Sequence, residues 1–325
     1  MPALVDPDGP RLCVVPSNPA PDGGRVAYFK TKDKVRLRYG VWPKTAGAAK
    51  GTICLVNGRT EFIEKYFETI ANFQSRGFQV ATFDWRGQGG SERLTNKPKL
   101  GYVRRFDDYW LDLNSFHSEI LLPDCPAPYY LVGHSMGGLV ALLATARDRL
   151  MFDRTFLSAP MLSIDGLPLG LSAMAALLEA ACLVGLGKMA GGRKEDRAPT
   201  SESFGGNPLT SDLKRYMRSI DVLGQCPELE ISAPSLRWLA SAMRAMAHAG
   251  ADDFAERIKA PVLMLGAARD EVVSTAAIEN LGLRMRNGSH SVIAHARHEL
   301  FMENDNIRGQ VFAAFDAFIT DRSPV

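Results

Sequence analysis

One serine set among glycines, a late aspartate and a late histidine are the residues of this chain whose types and spacing could do chemistry together. Ser135 sits in Gly133-His134-Ser135-Met136-Gly137-Gly138. This G-x-S-x-G pattern follows an apolar run, PYYLVG (residues 128–133), and leads into a helical one, LVALLATA. On a sharp strand-to-helix turn a serine hydroxyl stands clear of the sheet, and small flanking residues let the chains approach. The helix N-terminus also aims backbone N–H groups at developing negative charge. The chemistry this suits is nucleophilic acyl transfer. A glycine-rich turn with an incidental serine would carry the same residues; the strand before and the helix after separate the two readings. His134 adjoins the serine, but consecutive side chains diverge at such a turn, so it reads as a packing or hydrogen-bonded residue.

A serine hydroxyl is a weak nucleophile and needs a general base held by a third group. Asp270 follows the apolar run PVLMLGA (residues 261–267) in AARDEVV, at the end of a buried strand pattern. Its other reading is a loop aspartate that pairs with Arg269 or caps the next helix. Three histidines come after it: His290 and His295 at the two ends of the last strand pattern, and His298 in the loop beyond. His298 lies where its ring can swing over the serine turn. His295 stays an alternative, because strand ends read from sequence shift by a few residues. No H-E-x-x-H is present and nothing near the three supplies a third-ligand pattern, so no metal is expected. Acyl transfer through serine calls for no cofactor either. His117 and His248 fall on helical patterns and read as structural or surface residues.

A tetrahedral oxyanion needs two donors. The backbone N–H of Met136, directly after the serine, is one. The loop after TICLVN (residues 52–57), reading Asn57-Gly58-Arg59-Thr60-Glu61, supplies the other through the N–H of Arg59.

The elements that must hold these residues alternate along the chain. Residues 25–42 read as a hairpin, RVAYFKT and VRLRYGVW flanking Lys32, Asp33 and Lys34. Buried strand patterns follow at residues 52–57, 79–84, 128–133, 154–160 and 261–267, with a last one near 291–294. Helical spacing separates them, with Ile63, Phe67, Ile70, Ala71 and Phe73 near one face, then residues 106–122, 136–149 and, at the end, 307–319. This alternation predicts a mostly parallel sheet covered on both faces. Right-handed crossovers then bring every strand-to-helix turn to one edge, where ligands bind.

The rhythm stops between Pro160 and Pro261. Residues 161–250 read as an inserted helical cap, 25–160 and 251–325 as the core, and 1–24 as a Pro-rich extension. Residues 167–190 approach the length of a membrane span, but Glu179 and several glycines interrupt them, so a greasy lid helix is expected. Its stripe of Leu167, Leu169, Leu171, Met174, Leu177, Leu178, Leu183 and Leu186 suits an acyl chain. The same stripe suits any helix packed on its own domain. Arg193, Lys194, Arg197 and Arg237 could attract a phosphate, yet Glu195 and Asp196 sit among them and a solvated loop is expected.

GHSMGG, preceded by FDWRGQGGSERL (residues 83–94) and followed by ARHELFMEND, resembles the bacterial lysophospholipase and monoacylglycerol lipase branch of the α/β-hydrolases. NGRTEFIEKY and the cap phrases NPLTSDLKRY and APSLRWL add to the likeness, which spans residues 25–319. It implies the α/β-hydrolase fold: a mostly parallel eight-stranded sheet, helices on both faces and an inserted helical cap. It implies the order Ser135, Asp270, His298, with ARHE as the histidine-bearing loop, and an ester of a lipid with a single acyl chain as substrate. Where relatives carry a histidine before the glycine of the oxyanion loop, this chain has Asn57, which leaves open how the loop is braced. The side chain of Arg59 is expected to pair with Glu61 or Glu64 rather than meet a headgroup.

Bulk properties narrow the remaining classes. The formal net charge of +2, with acids and bases interspersed, gives no case for nucleic acid. Five cysteines without a C-x-x-C spacing, two of them (Cys54 and Cys182) inside apolar runs, suit unpaired thiols in a reducing compartment. No basic stretch followed by an apolar core opens the chain, so a cytoplasmic enzyme is expected, which could touch the inner membrane peripherally through the cap. A small-molecule esterase or an acyltransferase would use the same residues. So could a non-catalytic ligand-binding member of the fold.

Overall fold

The computed structural model describes residues 9–191 and 201–320 of the 325-residue chain. Its centre is one eight-stranded sheet in the order β1-β2-β4-β3-β5-β6-β7-β8. The hairpin β1 (Arg25–Lys30) and β2 (Arg36–Trp42) forms the antiparallel margin, and β2 also runs antiparallel to β4. All other pairings, among β3 (Thr52–Val56), β4 (Gln79–Phe83), β5 (Tyr129–His134), β6 (Arg154–Ser158), β7 (Val262–Ala267) and β8 (Gly288–Ile293), are parallel. The expected α/β-hydrolase architecture is therefore present. β8 starts three residues earlier than its apolar pattern, because Gly288, Ser289 and His290 pair with Val262, Leu263 and Met264 although they are polar.

Continuous apolar runs make these central strands two-faced. In β3, Ile53 and Leu55 enter one core layer while Cys54 and Val56 enter the opposite one; Leu131 and Val132 of β5 divide in the same way. The helix α1 (Phe67–Ser75) follows β3, α2 (Asp107–Phe116) and α3 (Leu122–Asp124) follow β4, and α4 (Ser135–Arg147) follows β5. A π turn at His117–Leu121 joins α2 to α3.

Between β6 and β7 lie α5 (Leu171–Leu183), α6 (Leu213–Gln225), α7 (Leu236–Ala249) and the short α8 (Phe254–Arg257). The greasy stretch is α-helical only over α5; Gly185, at a φ of +90°, breaks the helix ahead of a short 3-10 turn at Leu186–Lys188. Among the described residues no helix is long and apolar enough to cross a membrane. Leu171, Met174 and Leu178 pack against the core, whereas Leu169, Leu177, Leu183 and Leu186 are exposed. The chain closes with α9 (Thr275–Arg284) and α10 (Asp305–Thr320).

The cysteines correct an expectation. Cys13 and Cys226 form a disulfide, 213 residues apart, while Cys54, Cys125 and Cys182 are free and buried. The N-terminal segment packs across the end of α6, where Cys13, Val15, Phe62, Val222 and Leu229 form a small cluster. A pairing over that separation leaves no trace in local spacing, which is why a count of cysteines missed it.

Candidate active site

The turn from β5 into α4 carries Ser135 at φ +51°, a left-handed conformation that lifts its side chain off the strand end. The turn needs glycine at 137. A Cβ there would lie 2.4 Å from the carbonyl oxygen of Asn57, so only a bare backbone lets β5–α4 close on the loop after β3. The N–H of Met161 donates to the Ser135 carbonyl at 3.0 Å and holds the turn from the other side.

His298 and Asp270 come from the two loops beyond β8 and β7. The Ser135 hydroxyl lies 2.9 Å from His298 Nε2, and His298 Nδ1 lies 2.8 Å from Asp270 Oδ2. With Nδ1–H donating to the carboxylate, Nε2 is left to accept the serine proton. The N–H groups of Val272 and Val273 donate to Asp270 Oδ1, both at 2.9 Å. Burial works to raise the Asp270 pKa, but the bonds from His298 and these two amides hold it below the ordinary value. Asp270 does not pair with Arg269; its carboxylate is fully enclosed beside His298. His295, by contrast, is exposed at φ +62°, and His290 lies on β8 against Gly282.

The loop carrying His298 is fastened to residues 207–211. Glu299 N–H donates to Leu209 O at 2.8 Å and Arg297 Nη1 to Asn207 O at 2.7 Å. The buried Glu303 accepts from the N–H groups of Arg297 and Ser211 and from the Ser211 hydroxyl. The phrase NPLTSDLKRY thus meets ARHELFMEND in space.

The loop after β3 answers what replaces the missing histidine. Asn57 is fully buried, its carbonyl accepting from Trp85 Nε1 at 2.8 Å. Gln88 Nε2 donates to Gly58 O at 2.8 Å, and Glu61 accepts from the Gly58 N–H and, at 2.7 Å, from the Tyr66 hydroxyl. Trp85 and Gln88 belong to FDWRGQGGS. That segment is itself anchored by Asp84, which accepts from the Ile63 N–H at 2.9 Å and pairs with buried Arg38 at 2.7 Å. Sequence reading picked out the segment without finding this bracing role.

Arg59 departs from expectation. Glu64 is bound to Arg38 and Glu61 to Lys65, so the Arg59 side chain turns the other way. Its Nη1 donates to Ser232 O at 2.7 Å and its guanidinium lies 5.5 Å from the centre of the Trp238 ring. Of the other basic residues weighed for a phosphate, Arg193, Lys194 and Arg197 lie outside the described residues, as do Glu195 and Asp196. Arg237 pairs with Glu179 at 2.7 Å.

Behind the serine lies a second polar layer that sequence reading did not find. Lys65 bridges Glu61 at 3.0 Å and Glu299 at 2.5 Å. Burial pushes the Glu61 carboxyl up, but Lys65, His134, Tyr66 and the Gly58 amide together hold it at about 2. His134 is buried beside His298, ring centres 4.9 Å apart, with Nδ1 3.1 Å from Ser158 O. Burial lowers its pKa to about 4, so it stands neutral and donates to that carbonyl, a packing residue as expected. Among the described residues no three His, Cys, Asp or Glu side chains gather as a metal site.

Comparison with known proteins agrees with this frame. The sequence pattern of the family described as serine aminopeptidase, S33, matches residues 47–305. Lysophospholipase L2 of Escherichia coli K12 is 31% identical over 284 residues, covering 84% of this chain and 81% of that protein. The probable lysophospholipase L2 of Haemophilus influenzae is 25% identical over 91% of this chain and 92% of its own length. Among solved structures, a soluble variant of monoglyceride lipase from Saccharomyces cerevisiae with a substrate analog superposes with a TM-score of 0.70. That pair shares 18% identity and covers 91% of this chain and 95% of the lipase, so the likeness is one of fold.

Proposed function

The chain belongs to the serine aminopeptidase S33 family of α/β-hydrolases and is a serine hydrolase of the lysophospholipase and monoglyceride lipase type, and on that premise we propose that it cleaves the ester of single-chain lipids through Ser135. The observation that carries the reading is the unbroken hydrogen-bonded line from Ser135 Oγ through His298 to Asp270.

In this mechanism Ser135 Oγ attacks the ester carbonyl carbon while its proton passes to His298 Nε2. Asp270 holds the imidazole in its Nδ1–H tautomer and stabilises the imidazolium that forms. The oxyanion is received by the N–H groups of Met136 and Arg59. His298 returns the proton to the departing alcohol, leaving an acyl-enzyme. Water then attacks the acyl carbon by the same route and regenerates the serine.

Residues 161–250 act in this reading as the cap over the site, and the packed face of α5 lines the way for an acyl chain. The exposed Leu169, Leu177, Leu183, Val184 and Met189 favour a peripheral contact with a lipid surface. The compartment follows the cysteine chemistry: a Cys13–Cys226 disulfide persists where conditions are oxidising, against the cytoplasmic placement expected from the cysteine count. The substrate reading is tested by measuring fatty acid release from lysophospholipids, monoacylglycerols and short p-nitrophenyl esters. Preference for long single chains supports it, and turnover of short esters alone would reduce the cap to a simple cover.

A further inference from the structure

A cleft of about 920 Å³ lies outside the site just described and contains none of its residues. It opens between the start of α2, the far end of α4, the outer face of α7, and α8. Arg147, on its wall, stands about 18 Å along α4 from Ser135. Six arginines line it: Arg104, Arg105, Arg147, Arg237, Arg244 and Arg257. Asp107 and Glu179 share the wall, and Asp108 and Asp253 pair with Arg105 and Arg257, so the six arginines meet four carboxylates. A local excess of positive charge remains. On α7 the spacing of Arg237, Ser241, Arg244 and His248 puts all four on one helical face.

The neutralisation within the cleft is incomplete. Glu179 is divided between Arg237 at 2.7 Å and Arg244 at 3.0 Å. Asp107 meets Arg147 at 3.1 Å, Asp108 meets Arg105 at 3.5 Å and Asp253 meets Arg257 at 2.6 Å, while Arg104 makes no ion pair among the described residues. Arg244 and Arg105 keep about two thirds of their side-chain surface in solvent (67% and 69%), so their charges face outward. Guanidinium groups in this array match the geometry of phosphate oxygens.

The neighbouring surface says which phosphate. On the helical wheel of α5, Glu179 stands at the boundary between the face buried by Ala175 and Cys182 and an exposed arc that includes Leu183, Ala176 and Leu177. A lipid surface that took up this apolar arc would bring its headgroups to the arginines alongside.

We propose that the arginine cleft is a docking site for the phosphate groups of anionic phospholipids, which seats the enzyme on a negatively charged membrane at a distance from Ser135. The choice of occupant rests on the lipid reading of the active site, but the site itself is tested without turnover. Co-sedimentation with vesicles of phosphatidylcholine alone, and of phosphatidylcholine mixed with phosphatidylglycerol, would be compared for the wild type and the double variant Arg104→Glu/Arg244→Glu. The expected result is that the mixed vesicles bind the wild type about tenfold better than neutral ones, and that the variant loses this preference while still hydrolysing a short water-soluble ester. Added salt should weaken the wild-type preference. Equal binding to both vesicles, or an anionic preference unchanged in the double variant, would overturn the proposal. Saturable binding of inorganic phosphate without any vesicle preference would also overturn it, by making the cleft a site for soluble anions. Failure of lipid hydrolysis with the vesicle preference intact would sink the substrate reading and leave the docking site standing.

Discussion

The guanidinium of Arg59 donates to the carbonyl oxygen of Ser232 at 2.7 Å, tying the loop after β3 to the segment ahead of α7. The residue proposed to supply an oxyanion N–H therefore also holds, by its side chain, the segment proposed as part of the cap, with the Trp238 ring beside it. Trp238 is fixed in turn by its Nε1 bond to the Tyr109 hydroxyl at 3.0 Å.

Removing that side chain should loosen the cap. Arg59→Ala loses a charged hydrogen bond and a cation–π contact, together about 1–3 kcal/mol. Hydrogen exchange should quicken across residues 232–240 more than in β3 or β5. Unchanged protection there would show that the cap is held by other contacts.

Asp270→Asn preserves shape but lets the amide favour the wrong imidazole tautomer. With His298 misoriented, kcat on an ester should fall by roughly 10⁴ while KM moves little. A decrease of only a few-fold would assign Asp270 to the loop-capping role that its bonds from Val272 and Val273 also suit.

His134 makes stability depend on pH. Its folded pKa, about 4, lies below the ordinary 6.5, so the unfolded chain binds the proton more readily. The contribution is full above pH 6.5 and is lost as pH falls towards 4, on the order of 3 kcal/mol in all. Urea unfolding from pH 8 to 4.5 should show this decline, and His134→Gln should flatten it. An identical slope in the variant would place the titration elsewhere.

Reduction should matter as well. The Cys13–Cys226 bridge closes a long loop, and its loss typically costs about 2–4 kcal/mol. Unfolding with and without reductant, beside Cys226→Ser, measures it. If reductant has no effect on the wild type and mass spectrometry finds five free thiols rather than three, the pair is reduced in the isolated protein.

Much of the fold was legible because its strands are short apolar runs separated by helical spacing, and the β5–α4 turn shows both sides of Ser135 in one unbroken stretch. His298 and Asp270 were legible as candidates through their order after strand patterns, although position alone left His295 open. That His298 bonds Ser135 and Asp270 while His295 faces solvent depends on the three-dimensional path of the loop. The bracing of Asn57 and Gly58 by Trp85, Gln88 and Glu61 was invisible, since those residues meet only when β3 and β4 pair. The fate of Arg59 was misjudged for a similar reason. Glu61 and Glu64 are near in sequence, yet Lys65 and Arg38 already occupy them.

The central claim is that Ser135 is a nucleophile activated by His298. A fluorophosphonate probe forms a covalent adduct only with such a serine, and peptide mapping by mass spectrometry locates it. The account predicts a single adduct on the peptide containing Ser135, absent in Ser135→Ala and much slowed in His298→Ala. A wild type that stays unlabelled, or an adduct that persists in Ser135→Ala, would contradict it.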